Sequence, residues 1–166
     1  MSTKNKRLIV TMALVTVIIG GALLIPRKVE INNVADQIKI EHANIIDTFF
    51  TKRKSPLAGL GIKFVEEAEK NNLDWKLLPA ISIIESSGGI QACGFNPFGW
   101  GSCKMYNFSS WEEAIETVAL NLGGNNPNTA YYYKDKNIIE KLQAYNPPTI
   151  SPNYVDKVLS IMELIK

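Results

Sequence analysis

Histidine and cysteine are nearly missing from this chain, with one His and two Cys among 166 residues. A structural zinc site needs four ligands and a catalytic one three. Cys93, Cys103 and the distant His42 cannot supply that set, so neither a metal nor a cofactor is expected. Excess basic charge is missing from most of the chain as well. Lys4, Lys6 and Arg7 account for three of the 18 basic residues, and the rest nearly balance the 16 acidic ones. That excludes the basic face on which nucleic-acid binding depends. There is no internal repeat. Acid is absent where it would matter most, since no Asp or Glu occurs between Ser86 and Trp111.

What is present begins with a long apolar run. Leu8 to Ile25 is 18 residues without a charge, closed by Pro26, Arg27 and Lys28. Spanning a bilayer takes about 20 apolar residues, so the run sits at the short end of that range. The basic residues before it favour a cytoplasmic N-terminus and an exported C-terminal part. The competing reading is a cleaved signal peptide. Gly20, Gly21 and Ala22 are small, but no clean Ala-x-Ala site follows, and the run is long for a signal core. The expected organisation is a cytoplasmic tip (1–7), a transmembrane anchor (8–25), a juxtamembrane helix or stalk (26–56) and one modest domain (57–166). In an oxidising compartment Cys93 and Cys103 would pair, closing a loop of about ten residues worth about 2–3 kcal/mol.

The remainder reads as essentially all α. Ile31, Val34, Ile38, Ile45 and Phe49 recur at helical spacing from Val29 to about Arg53, and His42 lies beside them as a helix-surface residue. Thr51 to Pro56 is a charged break. A second helix is expected from Leu57 to Asn71, with Leu60, Phe64, Val65 and Ala68 inward. Asp74 is placed to cap the third, in which Leu78, Ile81 and Glu85 share a face; Pro79 interrupts it and Gly88-Gly89 stops it. The segment from Ile90 to Asn107 has too many breakers for a helix and reads as two short strands or an irregular flap. Ser110 to Glu113 is a capping box opening a helix that carries Trp111, Ile115, Val118 and Leu122 inward. Tyr131 to Tyr133, expected to be half buried, precede a short helical piece at 138–142. Tyr145-Asn-Pro-Pro is a rigid linker. Pro152 is expected at the first position of the last helix, with Val155, Val158, Leu159, Met162 and Ile165 inward.

Glu85 is the one residue in this arrangement that invites chemistry. On the apolar face of its helix its charged form is disfavoured, so its pKa should rise. A carboxylic acid kept protonated near neutral pH can give a proton to a glycosidic oxygen. The plain alternative is a helix-end glutamate turned to solvent or paired with a lysine.

Four stretches in order point the same way. Leu73-Asp74, Leu77-Leu78-Pro79-Ala80-Ile81 and Ile84-Glu85-Ser86 resemble the catalytic-helix motif of lysozyme-like bacterial cell-wall enzymes, the lytic transglycosylases and glucosaminidases. Asn96-Pro97-Phe98-Gly99-Trp100 resembles the Asn-x-Phe-Gly element of the glucosaminidase branch. Phe108 to Ala114 resembles the start of its next helix. Tyr145, with Pro152-Asn-Tyr154 and Lys157-Val158, resembles the closing part of the superfamily. The resemblance covers about residues 57–166. It implies a lysozyme-like helical domain with a small loop or β-flap, and Glu85 as general acid. Ser86 would orient that acid or the substrate, and Asn96, Phe98 and Tyr145 would line the sugar groove. Trp100 and Tyr106 could stack on sugar faces or, equally, form the small core of the flap.

The implied substrate is peptidoglycan or a related β-1,4-linked N-acetylated glycan. The departure from the usual scheme is the lack of a second carboxylate near Glu85. Glu112, Glu113 and Asp135 are farther along, where capping or solvated roles suffice. Three outcomes stay open: attack by a substrate hydroxyl giving a 1,6-anhydro product, participation of the substrate's N-acetyl group, or binding without cleavage. The alternatives to an enzyme are a non-catalytic, membrane-anchored glycan-binding module and an interaction protein that works through its stalk.

Overall fold

Helices dominate the computed structural model, which describes residues 27–102 and 107–166. The apolar run 8–25, Cys103 and Tyr106 lie outside the described residues, and with them the expected anchor, the disulfide pairing and one expected sugar contact. Among the described residues no helix is long and apolar enough to cross a membrane. The elements in chain order are α1 (Arg27–Lys52), α2 (Gly61–Lys70), α3 (Leu77–Ser86), α4 (Trp111–Leu122), α5 (Ala130–Tyr133), α6 (Ile138–Tyr145) and α7 (Tyr154–Leu164). Among the described residues between α3 and α4 no two-stranded ladder forms. One isolated bridge joins Cys93 to Asn96, and the described part of that loop is a series of turns.

The molecule is built around α3. Seven of its ten residues are buried, so it needs neighbours on nearly every side. It packs chiefly on α7 and also touches α2 and α4. Pro79 is harmless there because it is the third residue of the helix, where a backbone N–H has no partner within the helix to lose. Phe50, Phe64, Leu78, Ile81, Phe98, Ile115, Leu122, Leu142 and Ile165 are fully buried members of one continuous cluster.

The first helix forms where its periodicity predicts, but its inward face is shifted. Ala43, Ile46, Phe49 and Phe50 are buried, while Val34 and Ile38 are exposed and Ile45 is half buried. Among the described side chains of α1 the rest of the domain buries none before Ala43, so a stripe continued back through Ile38 and Val34 overstates what is packed. His42 is not a bare surface residue either; its ring stacks on Trp75 at 4.0 Å. Where α1 meets α2 the backbones nearly touch. A Cβ on Gly61 would stand 2.1 Å from the Ala43 carbonyl oxygen, so no other residue fits. Asp47 Oδ1 accepts from the N–H groups of Gly59 and Gly61 at 2.8 Å each, fixing the entry to α2. That entry comes later than the expected Leu57, because residues 56–59 form a turn that buries Leu57 before the helix begins.

Three helix starts also differ from expectation. Asp74 accepts from the Lys76 N–H at 2.8 Å, shaping the turn before α3 rather than capping the helix itself. Ser110 caps α4 as expected, accepting from the Glu113 N–H. Glu113, however, reaches past the cap to the N–H and O–H of Ser109, both at 2.6 Å. Pro152 belongs to the turn ahead of α7, which starts at Tyr154. A full capping box occurs instead at α6, between Asn137 and Glu140.

Two buried charges tie the periphery together. Glu67 of α2 pairs with Lys63 at 2.9 Å, and Lys63 reaches on to Glu116 of α4 at 3.3 Å. Lys141 of α6 donates to the carbonyls of Leu122 and Tyr133 at 2.6 and 2.7 Å. These are the last residues of α4 and α5, whose carbonyls lack partners within their helices and attract a cation.

Candidate functional site

Glu85 lies one residue before the end of α3, and the way that helix ends builds its surroundings. Ser87 takes a left-handed conformation (φ 55°), its N–H bonding to Ile83 O at 3.0 Å while the Gly88 N–H bonds to Ser82 O at 2.9 Å. The Ser87 bond is the closure of a left-handed αL stop, so the helix ends on Ser87, ahead of the Gly pair expected to stop it. Gly88 and Gly89 continue with positive φ, turning the chain sharply back over the helix.

Ser86 secures that turn. Its hydroxyl donates to Pro97 O at 2.7 Å and accepts from the Gly89 N–H at 2.9 Å. Asn96 plays the same part further along: its side chain accepts from the Trp100 N–H at 3.0 Å and donates to the Trp100 carbonyl at 2.8 Å. Phe98 is 1% exposed, so its ring belongs to the core. Its carbonyl accepts the Tyr145 hydroxyl at 2.5 Å. Of the residues expected to touch a sugar, Ser86, Asn96 and Phe98 are therefore buried and hold the 96–100 turn in place. Their polar groups are already occupied within the protein. Trp100 and Tyr145 do stand at the site, with rings 5.7 Å apart.

The turn is held against the carboxyl of Glu85. Gly99 has φ +63°, and a Cβ there would lie 3.2 Å from Glu85 Oε2. The other oxygen, Oε1, accepts the hydroxyl of Tyr154 at 2.7 Å. Glu85 is half buried, and this burial raises its pKa, opposed by the hydrogen bond from Tyr154 that favours the charged form. Burial is the larger effect. Among the described residues no other charged group contributes to the shift. Glu113, one of the more distant carboxylates, is exposed and held by Ser109, whose hydrogen bonds lower its pKa.

The hydroxyl of Tyr154 is pushed strongly upward by burial, with the neighbouring Tyr145 and Glu85 adding to the effect, and Tyr145 is raised for the same leading reason. Both stay protonated through the physiological range and act as donors. Tyr154 stacks on Tyr145 at 6.1 Å with their planes 14° apart, and Trp100 also meets Tyr133 at 6.4 Å. One carboxyl is thus set in an aromatic wall, held through one oxygen and facing a bare glycine with the other. Two surface hollows, about 410 and 340 Å³, lie along α1 and are lined by neither Glu85 nor these aromatics.

Tyr154 and Gly99 were not singled out as site residues from sequence. In the sequence Gly99 is one breaker among several and the glycine of the Asn-x-Phe-Gly resemblance, with no site role of its own. Tyr154 shares a face with Val158 and Met162 at helical spacing and so reads as a core residue, which its ring is. The pairing with Glu85 spans 69 positions and leaves no local trace. Compared with known protein families, curated proteins and solved structures, the chain matches none.

Proposed function

We propose that this protein cleaves β-1,4 glycosidic bonds in peptidoglycan glycan strands, with Glu85 as the proton donor. The observation that carries the reading is the half-buried Glu85 carboxyl, its pKa raised by burial, with Oε1 fixed by Tyr154 and Oε2 beside Gly99. A protonated carboxyl that accepts at one oxygen keeps the other for its own O–H. Such a group can protonate a leaving glycosidic oxygen at the Gly99 side, and as a carboxylate it can then take a proton from the attacking hydroxyl. Because the sequence offers no second carboxylate between Ser86 and Trp111, the nucleophile is assigned to the substrate itself. It is either a sugar hydroxyl, giving a 1,6-anhydro end, or the N-acetyl oxygen. Trp100 and Tyr145 supply aromatic surface beside the acid.

The resemblance of residues 57–166 to lysozyme-like cell-wall enzymes supports the same substrate class and a lysozyme-like arrangement of the helices. An N-terminal anchor at 8–25, or a cleaved signal there, would place the domain outside the cytoplasm with the wall. Digestion of purified peptidoglycan by the wild type and by Glu85→Gln tests the proposal. Muropeptides released by the wild type alone are the expected result, and a product lighter by one water marks the anhydro route. Retained binding to the wall with no release from either protein would replace cleavage by glycan binding.

A further inference from the structure

We propose that Tyr131 and Tyr132 form a second, outlying sugar-stacking platform, so that the protein grips a glycan strand over several sugars beyond the bond at Glu85. This rests on the glycan reading of Glu85. Large aromatic rings left in water mark binding surfaces when they are grouped and connected to a site. Tyr131 and Tyr132 are 70% and 44% exposed, unlike Tyr133, which turns into the core. Their rings pair at 3.8 Å.

They are also joined to the acid by an unbroken series of ring contacts. Tyr132 meets Tyr133 at 6.0 Å, Tyr133 meets Trp100, Trp100 meets Tyr145, and Tyr145 stacks on Tyr154, whose hydroxyl holds Glu85. Val34 and Ile150, likewise strongly exposed, are aliphatic and offer no ring face. The backbone beneath the platform is held on both sides. Lys141 clamps the Tyr133 carbonyl, and the Thr129 hydroxyl donates to Asn121 Oδ1 at 2.6 Å just before α5. A preformed platform spares the ordering cost of binding. Flat rings carrying hydroxyls suit the alternating apolar faces and hydroxyl edges of a pyranose chain.

The test titrates the full, detergent-solubilised chain carrying Glu85→Gln with β-1,4 N-acetylglucosamine oligomers, from the disaccharide to the octasaccharide. Affinity is expected to rise with length. Tyr131→Ala with Tyr132→Ala should remove about tenfold of the octasaccharide's affinity while leaving the disaccharide's where it was. Replacing both with Phe, which keeps the rings, should restore the gain. If affinity does not rise with length, or rises equally in the alanine pair, the platform is overturned while glycan binding at Glu85 stands. If no oligomer binds at any length, the glycan reading fails and the platform falls with it.

Discussion

Removing one oxygen atom from Tyr154 isolates the interaction on which the site depends. In Tyr154→Phe the ring remains, so the core contacts of a residue only 2% exposed are kept and no sizeable cavity opens. What is lost is the 2.7 Å hydrogen bond to Glu85 Oε1. A hydrogen bond to a charged acceptor contributes about 1.5–3 kcal/mol and one to a neutral acceptor about 0.5–1.5 kcal/mol. Water reaches the half-buried carboxyl, so the low ends apply: about 1.5 kcal/mol when Glu85 is ionised and about 0.5 kcal/mol when it is protonated. For a chain of this size that corresponds to a Tm lowered by about 3–6 °C above Glu85's titration range, and by about 1–2 °C below it. In a Glu85→Gln background the acceptor is neutral at every pH, so the same substitution should cost about 0.5 kcal/mol throughout. Thermal unfolding of the four proteins of this cycle at acid and alkaline pH provides the assay. An equal Tm loss at both pH values, or an undiminished loss in the Gln background, would refute the idea that Tyr154 acts on a titrating carboxylate.

Three further outcomes follow from the geometry. Glu85→Gln should stabilise the fold at high pH. Its pKa is raised in the folded state, so the ionised carboxylate costs stability above that raised value and costs nothing below the ordinary Glu range. The Tm advantage of the Gln variant should therefore vanish as pH falls through that window. Gly99→Ala places a methyl 3.2 Å from Glu85 Oε2 at a φ of +63°; unfolding should show a loss of about 1 kcal/mol or more, and any peptidoglycan-cleaving activity should fall further than stability does. Lys141→Met strips the donor from the carbonyls of Leu122 and Tyr133, and denaturant unfolding should register a loss of about 2–4 kcal/mol.

The helical content was legible in the sequence because apolar spacing and cap residues are local signals. Leu78, Ile81 and the stripe Ile115, Val118 and Leu122 are buried as the periodicity predicts. Local signals are weaker at boundaries and blind to what a neighbour covers. Val34 and Ile38 stand at as regular a spacing as Phe49, yet they are exposed and Phe49 is buried, and only the extent of the domain distinguishes them. The site divides in the same way. Glu85 follows from its helix face and from the lone acid in an apolar stretch. Ser86 and Asn96 have the right chemistry for a sugar ligand, yet their atoms are spent on Pro97 and Trp100, an outcome set by the path of the loop. Tyr154 reaches Glu85 only because α7 lies against α3, and Tyr131 and Tyr132 face outward only because Tyr133 and Lys141 fix the orientation of α5.

Proton donation requires that Glu85 be held protonated beyond the ordinary range of a glutamate. Direct titration of its carboxyl carbon by NMR, with the resonance assigned through its loss in Glu85→Gln, tests this without assuming any substrate. The midpoint should lie above the ordinary Glu value and move further upward in Tyr154→Phe, since that change removes the bond favouring the charged form. A midpoint at or below the ordinary value, unmoved by Tyr154→Phe, would contradict it.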